Sequence, residues 1–265
     1  MPRIGIIGGS GLYELLDSAM RVSRTTDYGE PSAELFVGTL NGVEVAFLPR
    51  HGSKHTIPPH LVPYRANIAA MKSLGVDRII ATNAVGSLNP EYKPGELAFF
   101  DQFVNMTHGR KDTFYDGNVV AHVGMADPYC EQMRPIAAET ATKLGIKNHA
   151  GGSVVVINGP RFSTRAESRF FSRAGFDMIN MTQYPEVALA REQGMCYLGV
   201  GLITDYDVGL EGNNDVKPVS AEAVGRIFSE NVKNVKELIS ALVSAVPADR
   251  TCDCSSSMDG AVQTK

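Results

Sequence analysis

Four short polar clusters, each closing an apolar run, hold most of the residues in this chain that could do chemistry. "FLPRHG" carries Arg50 and His51, "ATNAVGSL" carries Thr82, Asn83 and Gly86, "INMT" carries Asn180 to Thr182, and "LITDYD" carries Thr204, Asp205 and Asp207. Sheets of α/β proteins place ligands beyond the carboxyl ends of their strands, so four such clusters on one sheet edge read as one site. A fifth signal opens the chain. In "IGIIGGSG" an apolar run enters a glycine turn, which must leave backbone amides free, an arrangement suited to an anion. A dinucleotide fingerprint needs a third spaced glycine opening a helix and an acid about 20 residues further on. Here Gly9-Ser10-Gly11 is followed by Leu12, Tyr13 and Glu14, and Asp27 lies in the turn-like "DYGEPS".

Sorted by charge, the clusters divide into two halves. Arg50, His51, Ser10, Thr182 and the glycine amides are donors, the usual equipment for a phosphate. Asp205 and Asp207 are acceptors that would repel that phosphate, so the two halves call for a ligand pair: an anion at one end, a neutral group with hydrogens to donate at the other. Standing two apart, the acids point to one face of an extended chain. Adenine offers an N6 donor and an N7 acceptor along one edge, whereas guanine offers only acceptors, O6 and N7. Carboxylates sharing a proton suit the first edge and meet like partial charge at the second.

Elements that could hold these clusters follow from the apolar pattern. Short β-branched runs ("RIGII", "VEVAFLP", "RIIATNA", "ELAFFDQFV", "SVVVING", "MCYLGVGLIT") alternate with helical spacing at Tyr64 to Leu74, Gln132 to Leu144 and Ala221 to Val243. The expectation is an α/β fold, a single domain with a mixed central sheet flanked by helices over residues 1–246 and a loose polar tail over 247–265 that carries Cys-x-Cys. Hydrophobic residues at 43% and charged residues at 20% fit a globular protein with a large core and exclude general disorder. A net charge of -4 supplies no basic field for nucleic acid or anionic lipid. No apolar run approaches the roughly 20 residues of a membrane span, and there is no leader pattern, so a cytoplasmic location is expected. Four cysteines are too few for a disulfide framework, and Cys130 and Cys196 read as plain core residues.

"IGIIGGSG", "PRHG", "YRANI", "NAVGSL", "GPRFSTRAES", the "NMT" and "YPE" run with "LARE", and "TDYD" occur in this order from residue 3 to about 245. In these motifs the chain resembles the trimeric purine nucleoside phosphorylases, and within them the 5'-methylthioadenosine phosphorylase branch. The resemblance implies a nucleoside phosphorylase-like fold and phosphorolysis of a purine nucleoside, with inorganic phosphate as co-substrate and no cofactor. It also implies a homo-oligomer, a trimer or a dimer of trimers. By the same resemblance Ser10, Arg50, His51, Asn83, Ala84 and Thr182 match phosphate positions, and Met181 a ribose contact. Phe162 and Ser163 match the purine pocket, and Thr204, Asp205 and Asp207 the base-recognising cluster. His122 matches a residue lent by a neighbouring subunit to the 5' end of the nucleoside, which Ala221 and Val224 shape.

The chain departs from that pattern at Asn83, where relatives often carry threonine. After "TDYD" it has glycines and no aromatic residue, which implies a more mobile cover over the base, and the small Ala221 leaves room at the 5' end. The charges set the expected mechanism: phosphate beneath C1', Asp205 protonating N7 and Asp207 accepting from N6, the last two exchangeable. Rival readings are a 6-oxopurine or broad-specificity purine nucleoside phosphorylase, and a protein that merely binds a nucleotide. A third reading, a metal-binding module at the Cys252–Cys254 tail, leaves the rest of the chain unexplained, and no other cluster has ligand spacing, so no metal is expected in the main site. Some heat-stable archaeal relatives share that Cys-x-Cys spacing, which implies an easily reduced disulfide; the alternative is two exposed thiols.

Overall fold

The computed structural model describes residues 3–9, 12–209 and 216–263. In chain order the elements are β1 (Ile4–Gly8), β2 (Asp17–Val22), β3 (Leu35–Leu40), β4 (Val43–Pro49), α1 (Tyr64–Ser73), β5 (Arg78–Ser87), β6 (Leu97–Phe99) and β7 (Gln102–Met106). They continue as α2 (Met133–Lys143), β8 (Asn148–His149), β9 (Ser153–Ile157), α3 (Arg165–Arg173), β10 (Met178–Asn180), α4 (Gln183–Glu192), β11 (Cys196–Asp205) and α5 (Ala221–Ala245).

One mixed sheet joins all the strands. β4, β1, β5 and β11 run parallel side by side through its centre. β2 and β3 extend one edge antiparallel, and β10 pairs antiparallel with the end of β5 beyond β1 and is followed by β9 and β7. The apolar stretch from Glu96 to Val104 forms two strands rather than one. β6 pairs with β11, while β7 pairs with β9. Between them Phe100 turns into the sheet, where side chains at Gly199 or Gly201 would collide with its ring.

The central strands are buried on both faces, as parallel strands covered by helices must be. Their side chains alternate between two cores. Ile7, Ile79 and Tyr197 join α1 and α4 on one side, whereas Ile6, Ile80 and Leu198 join α2 and α5 on the other. A smaller cluster around Phe171 of α3 packs under the β9–β10 edge.

The tail is docked rather than loose. Arg78 Nη2 donates to Ala248 O (2.7 Å), Arg250 Nη1 to Gly194 O (2.8 Å) and Ser257 Oγ to Arg191 O (2.6 Å). Val262 forms a β-bridge with Ala121. These bonds run between side chains and carbonyls of distant segments, so no apolar period in the sequence announces them. Among the described residues no helix is long and apolar enough to cross a membrane.

Candidate active site

A gap along one edge of β5 makes the floor of the site. β1 covers β5 as far as the Ile7–Ala81 pair, and β10 joins only at Gly86 and Ser87. The edge of Thr82 to Val85 between them borders a cavity of about 950 Å³. "ATNA" therefore lies in mid-strand and not at a strand end as expected. It reaches the ligand side because the neighbouring strand stops short.

At the anion end the cavity is lined by Gly9, Arg50, His51, Asn83, Ala84 and Thr182. Ser10 lies outside the described residues. Arg50, directly after β4, is held by α4: Nε and Nη2 donate to the two Glu186 oxygens, both at 2.7 Å, and Nη1 donates to Thr82 O at 2.8 Å. One N–H on each terminal nitrogen is left for an anion. Burial opposes the Arg50 charge, but the Glu186 carboxylate outweighs it and raises its pKa. Beneath this pair Tyr197 Oη donates to Glu186 Oε1 (2.7 Å), Gln183 Nε2 to Tyr197 Oη (3.2 Å), and Tyr129 Oη to Gln183 Oε1 (3.0 Å).

His51 is not the donor its residue type suggested. Its Nδ1 faces Ile57 O at 2.8 Å and must carry the proton there. Burial, with the Arg50 charge adding, lowers its pKa to about 4. The neutral ring keeps a lone pair on Nε2, an acceptor. Asn83 receives the Thr182 hydroxyl on Oδ1 (2.8 Å) and donates from Nδ2 to Ala81 O (3.2 Å), which leaves its second amide hydrogen free to donate.

The two acids meet through a turn. β11 ends at Asp205 with a register shift against β5, and Asp207 adopts a left-handed conformation (φ 49°), which Asp tolerates better than most residues. The shared face of an extended chain is thus replaced by a folded-back pair, with Asp207 N donating to Asp205 Oδ1 at 2.8 Å. Thr204 Oγ1 donates to Asp205 Oδ2 at 2.7 Å. Gly86 opposite allows the approach, since a Cβ there would lie 3.0 Å from Asp205 Oδ1. Burial pushes the Asp205 carboxyl up to about 6. Asp207 is also raised, mainly by burial, with the nearby Ser168 and Ser163 hydroxyls pulling the other way.

Phe162 and Ser163 reach the cavity from the loop before α3, whose start is set by a capping box between Thr164 and Glu167. Met181 enters from the β10–α4 turn, and Ala221, Val224 and Phe228 from the first two turns of α5, which Ser220 caps. His122 does not line the cavity of its own chain. It is exposed, and its N–H pairs with Ala261 O (2.9 Å) in the docked tail. The segment expected to cover the base falls largely on residues 210–215, outside those described.

Two residues of this shell escaped the sequence reading. Glu186 is a charge inside the apolar run "EVALA", and that was its signal. Arg110 donates to the carbonyls of Tyr184, Asn158 (3.0 Å) and Met181 (2.9 Å), fixing the Met181 turn from outside the cavity; nothing in its local sequence marks it.

Four cavity residues carry a buried polar atom with no hydrogen-bond partner: Thr82 Oγ1, Ser163 Oγ, Asn180 Nδ2 and Asp207 Oδ2. Native proteins rarely leave such atoms unpaired except where a ligand or water pairs them. Residues 3–244 match the family model described as the phosphorylase superfamily. The chain belongs to that superfamily. It is 53% identical to an S-methyl-5'-thioadenosine phosphorylase of Pyrococcus abyssi, with 96% of each chain covered, and 51% identical to one of Thermofilum pendens, with 98% of each covered. Among solved structures, a methylthioadenosine phosphorylase from an antarctic soil metagenomic library superposes with a TM-score of 0.93 at 40% identity, over 100% of this chain and 93% of that one. The methylthioadenosine phosphorylase of Schistosoma mansoni in complex with adenine gives 0.92 at 36% identity over 99% of both chains. This superfamily member thus has the nucleoside phosphorylase fold expected of it.

Proposed function

We propose that this chain cleaves the N-glycosidic bond of 5'-methylthioadenosine with inorganic phosphate, giving adenine and 5-methylthioribose 1-phosphate. The observation that carries the reading is the polarity of one cavity, with Arg50 and the amide of Asn83 at one end and two acids, Asp207 buried and Asp205 half-buried, at the other. A phosphate oxygen attacks C1', the C1'–N9 bond breaks, and its electron pair passes into the purine. Asp205, pushed up to about 6, supplies the proton at N7. Hydrogen phosphate sheds a proton as it becomes the ester dianion, which balances the one taken by the purine. His51, neutral with Nε2 as an acceptor, holds the protonated phosphate oxygen.

Asp207 Oδ2, buried and unpartnered, accepts from N6 of adenine and opposes O6 of a 6-oxopurine. Ala221, Val224 and Phe228 give the 5' end an apolar wall suited to a methylthio group. Phosphate is the co-substrate, and no cofactor enters the scheme. The working unit is a homotrimer or dimer of trimers in the cytoplasm, with His122 serving a neighbour's 5' end, and the reaction serves purine and methionine salvage.

The test is product release from methylthioadenosine, adenosine and inosine, each with and without phosphate. Adenine formation that requires phosphate and is fastest with methylthioadenosine is expected. Faster turnover of inosine, or no phosphate-dependent cleavage of any of the three, would overturn the reading.

A further inference from the structure

All four cysteines of the chain converge on one point, far apart as they are in sequence. Cys130 precedes α2, Cys196 opens β11, and Cys252 and Cys254 come from the docked tail. Their four sulfurs lie within 4.8 Å of one another, all are free thiols, and Cys196 Sγ stands 3.4 Å from Cys252 Sγ. A disulfide requires about 2.05 Å. Four sulfurs arranged tetrahedrally at about 2.3 Å from one ion stand about 3.8 Å apart.

The surroundings fit an ion as well as the distances do. Cys130, Cys196 and Cys254 are buried in the core shared by α2, α5 and β11, and Cys252 packs at its margin, so the cluster is closed to solvent on most sides. The N–H of Met133, the first residue of α2, donates to Cys130 Sγ at 3.4 Å, and the positive end of that helix favours a thiolate there. Beyond its hydrogen bonds and the β-bridge, the tail has few apolar anchors. After residue 247, Cys254 and Ala261 are the buried hydrophobic residues among those described.

We propose that Cys130, Cys196, Cys252 and Cys254 form a closed tetrathiolate site for a structural zinc ion that fastens the C-terminal segment to the core. Soft thiolate ligands in tetrahedral array select zinc among common divalent ions, and four protein ligands leave no open position for catalysis. Binding displaces thiol protons and needs no oxidant or reductant.

The experiment is metal and thiol analysis of the whole protein, purified anaerobically without chelator or reductant. One zinc per chain, four thiols on unfolding and loss of zinc in Cys252→Ser and Cys254→Ser are expected. The same two variants should unfold at lower temperature while keeping the parent's turnover at moderate temperature. Tetrahedral cobalt absorption after exchange of zinc for cobalt would confirm the ligand set without any variant. Fewer than two thiols in the anaerobic protein would mean disulfides in place of the site. Four thiols that take up no equimolar zinc would also overturn the proposal, and stoichiometric iron would overturn the choice of ion.

Discussion

Glu186 accepts both the Nε and the Nη2 hydrogens of Arg50 at 2.7 Å, and both side chains are cut off from solvent. The pair locks the guanidinium against the floor of the cavity and offsets its positive charge. Removing one member leaves the other buried and uncompensated, which costs about 3–5 kcal/mol in comparable pairs. Arg50→Ala should lose stability on that scale in denaturant unfolding and raise KM for phosphate far more than KM for the nucleoside. Equal changes in both constants would reduce Arg50 to a structural role.

Tyr197→Phe tests the support of that pair without touching the cavity. It removes the hydroxyl that donates to Glu186 Oε1 at 2.7 Å and accepts from Gln183. A hydrogen bond to a charged group is worth about 1.5–3 kcal/mol, and a loss of that size is expected in thermal or denaturant unfolding. KM for phosphate should rise with kcat little altered, since Arg50 is loosened and the acids are not.

The pH dependence follows from burial of Asp205, whose carboxyl is raised from 3.8 to about 6. An acid that must carry its proton makes kcat/KM fall as pH rises above about 6, and Asp205→Asn should abolish that limb and lower kcat by roughly 10²–10⁴-fold. For stability, the folded state holds the proton more tightly than the unfolded one. The favourable contribution is therefore complete below 3.8 and is lost as pH rises through about 6. Above neutral pH Asp205→Asn should unfold later than the parent, by up to roughly 3 kcal/mol at 1.36 kcal/mol per pKa unit. An Asn variant with unchanged or reduced stability there would show that Asp205 is not held at a cost.

Base choice is tested at Asp207, whose Oδ2 has no partner. Asp207→Asn exchanges an acceptor for an amide that can also donate, at a cost of about 1.5–3 kcal/mol for adenine nucleosides. For inosine it removes a repulsion. The ratio of the two specificity constants should move toward inosine by more than about tenfold, one decade being about 1.4 kcal/mol. Equal loss of both activities would transfer the discriminating role to Asp205.

Sharing of sites between subunits is tested by mixing His122→Ala with Asp205→Ala protein. His122 is exposed and lies outside its own chain's cavity, so mixed oligomers should recover activity that neither parent shows. Mixtures no more active than their parents, with subunit exchange verified by mass, would count against sharing.

The sequence by itself determined which segments carry chemistry. Apolar runs that end in Arg50-His51, Asn180 to Thr182 and Thr204 to Asp207 are local patterns, and the parallel run of β4 and β11 beside β1 and β5 brings the first and last of these ends to one edge. The helices at Tyr64, Met133 and Ala221 are legible for the same reason: each is written within a few residues. The tertiary structure alone decided the rest. Glu186 meets Arg50 across 136 residues, and four cysteines spread from 130 to 254 meet at one point, because strand order and helix docking choose such neighbours and no period of 2 or 3.6 encodes them. The gap along β5 depends on where β1 stops relative to β10, a matter of register between strands. The left-handed turn at Asp207 and the neutral state of His51 depend on packing, which sets both the backbone and the local dielectric. Residue types supplied the candidate donors and acids, and burial decided which of them carry a proton.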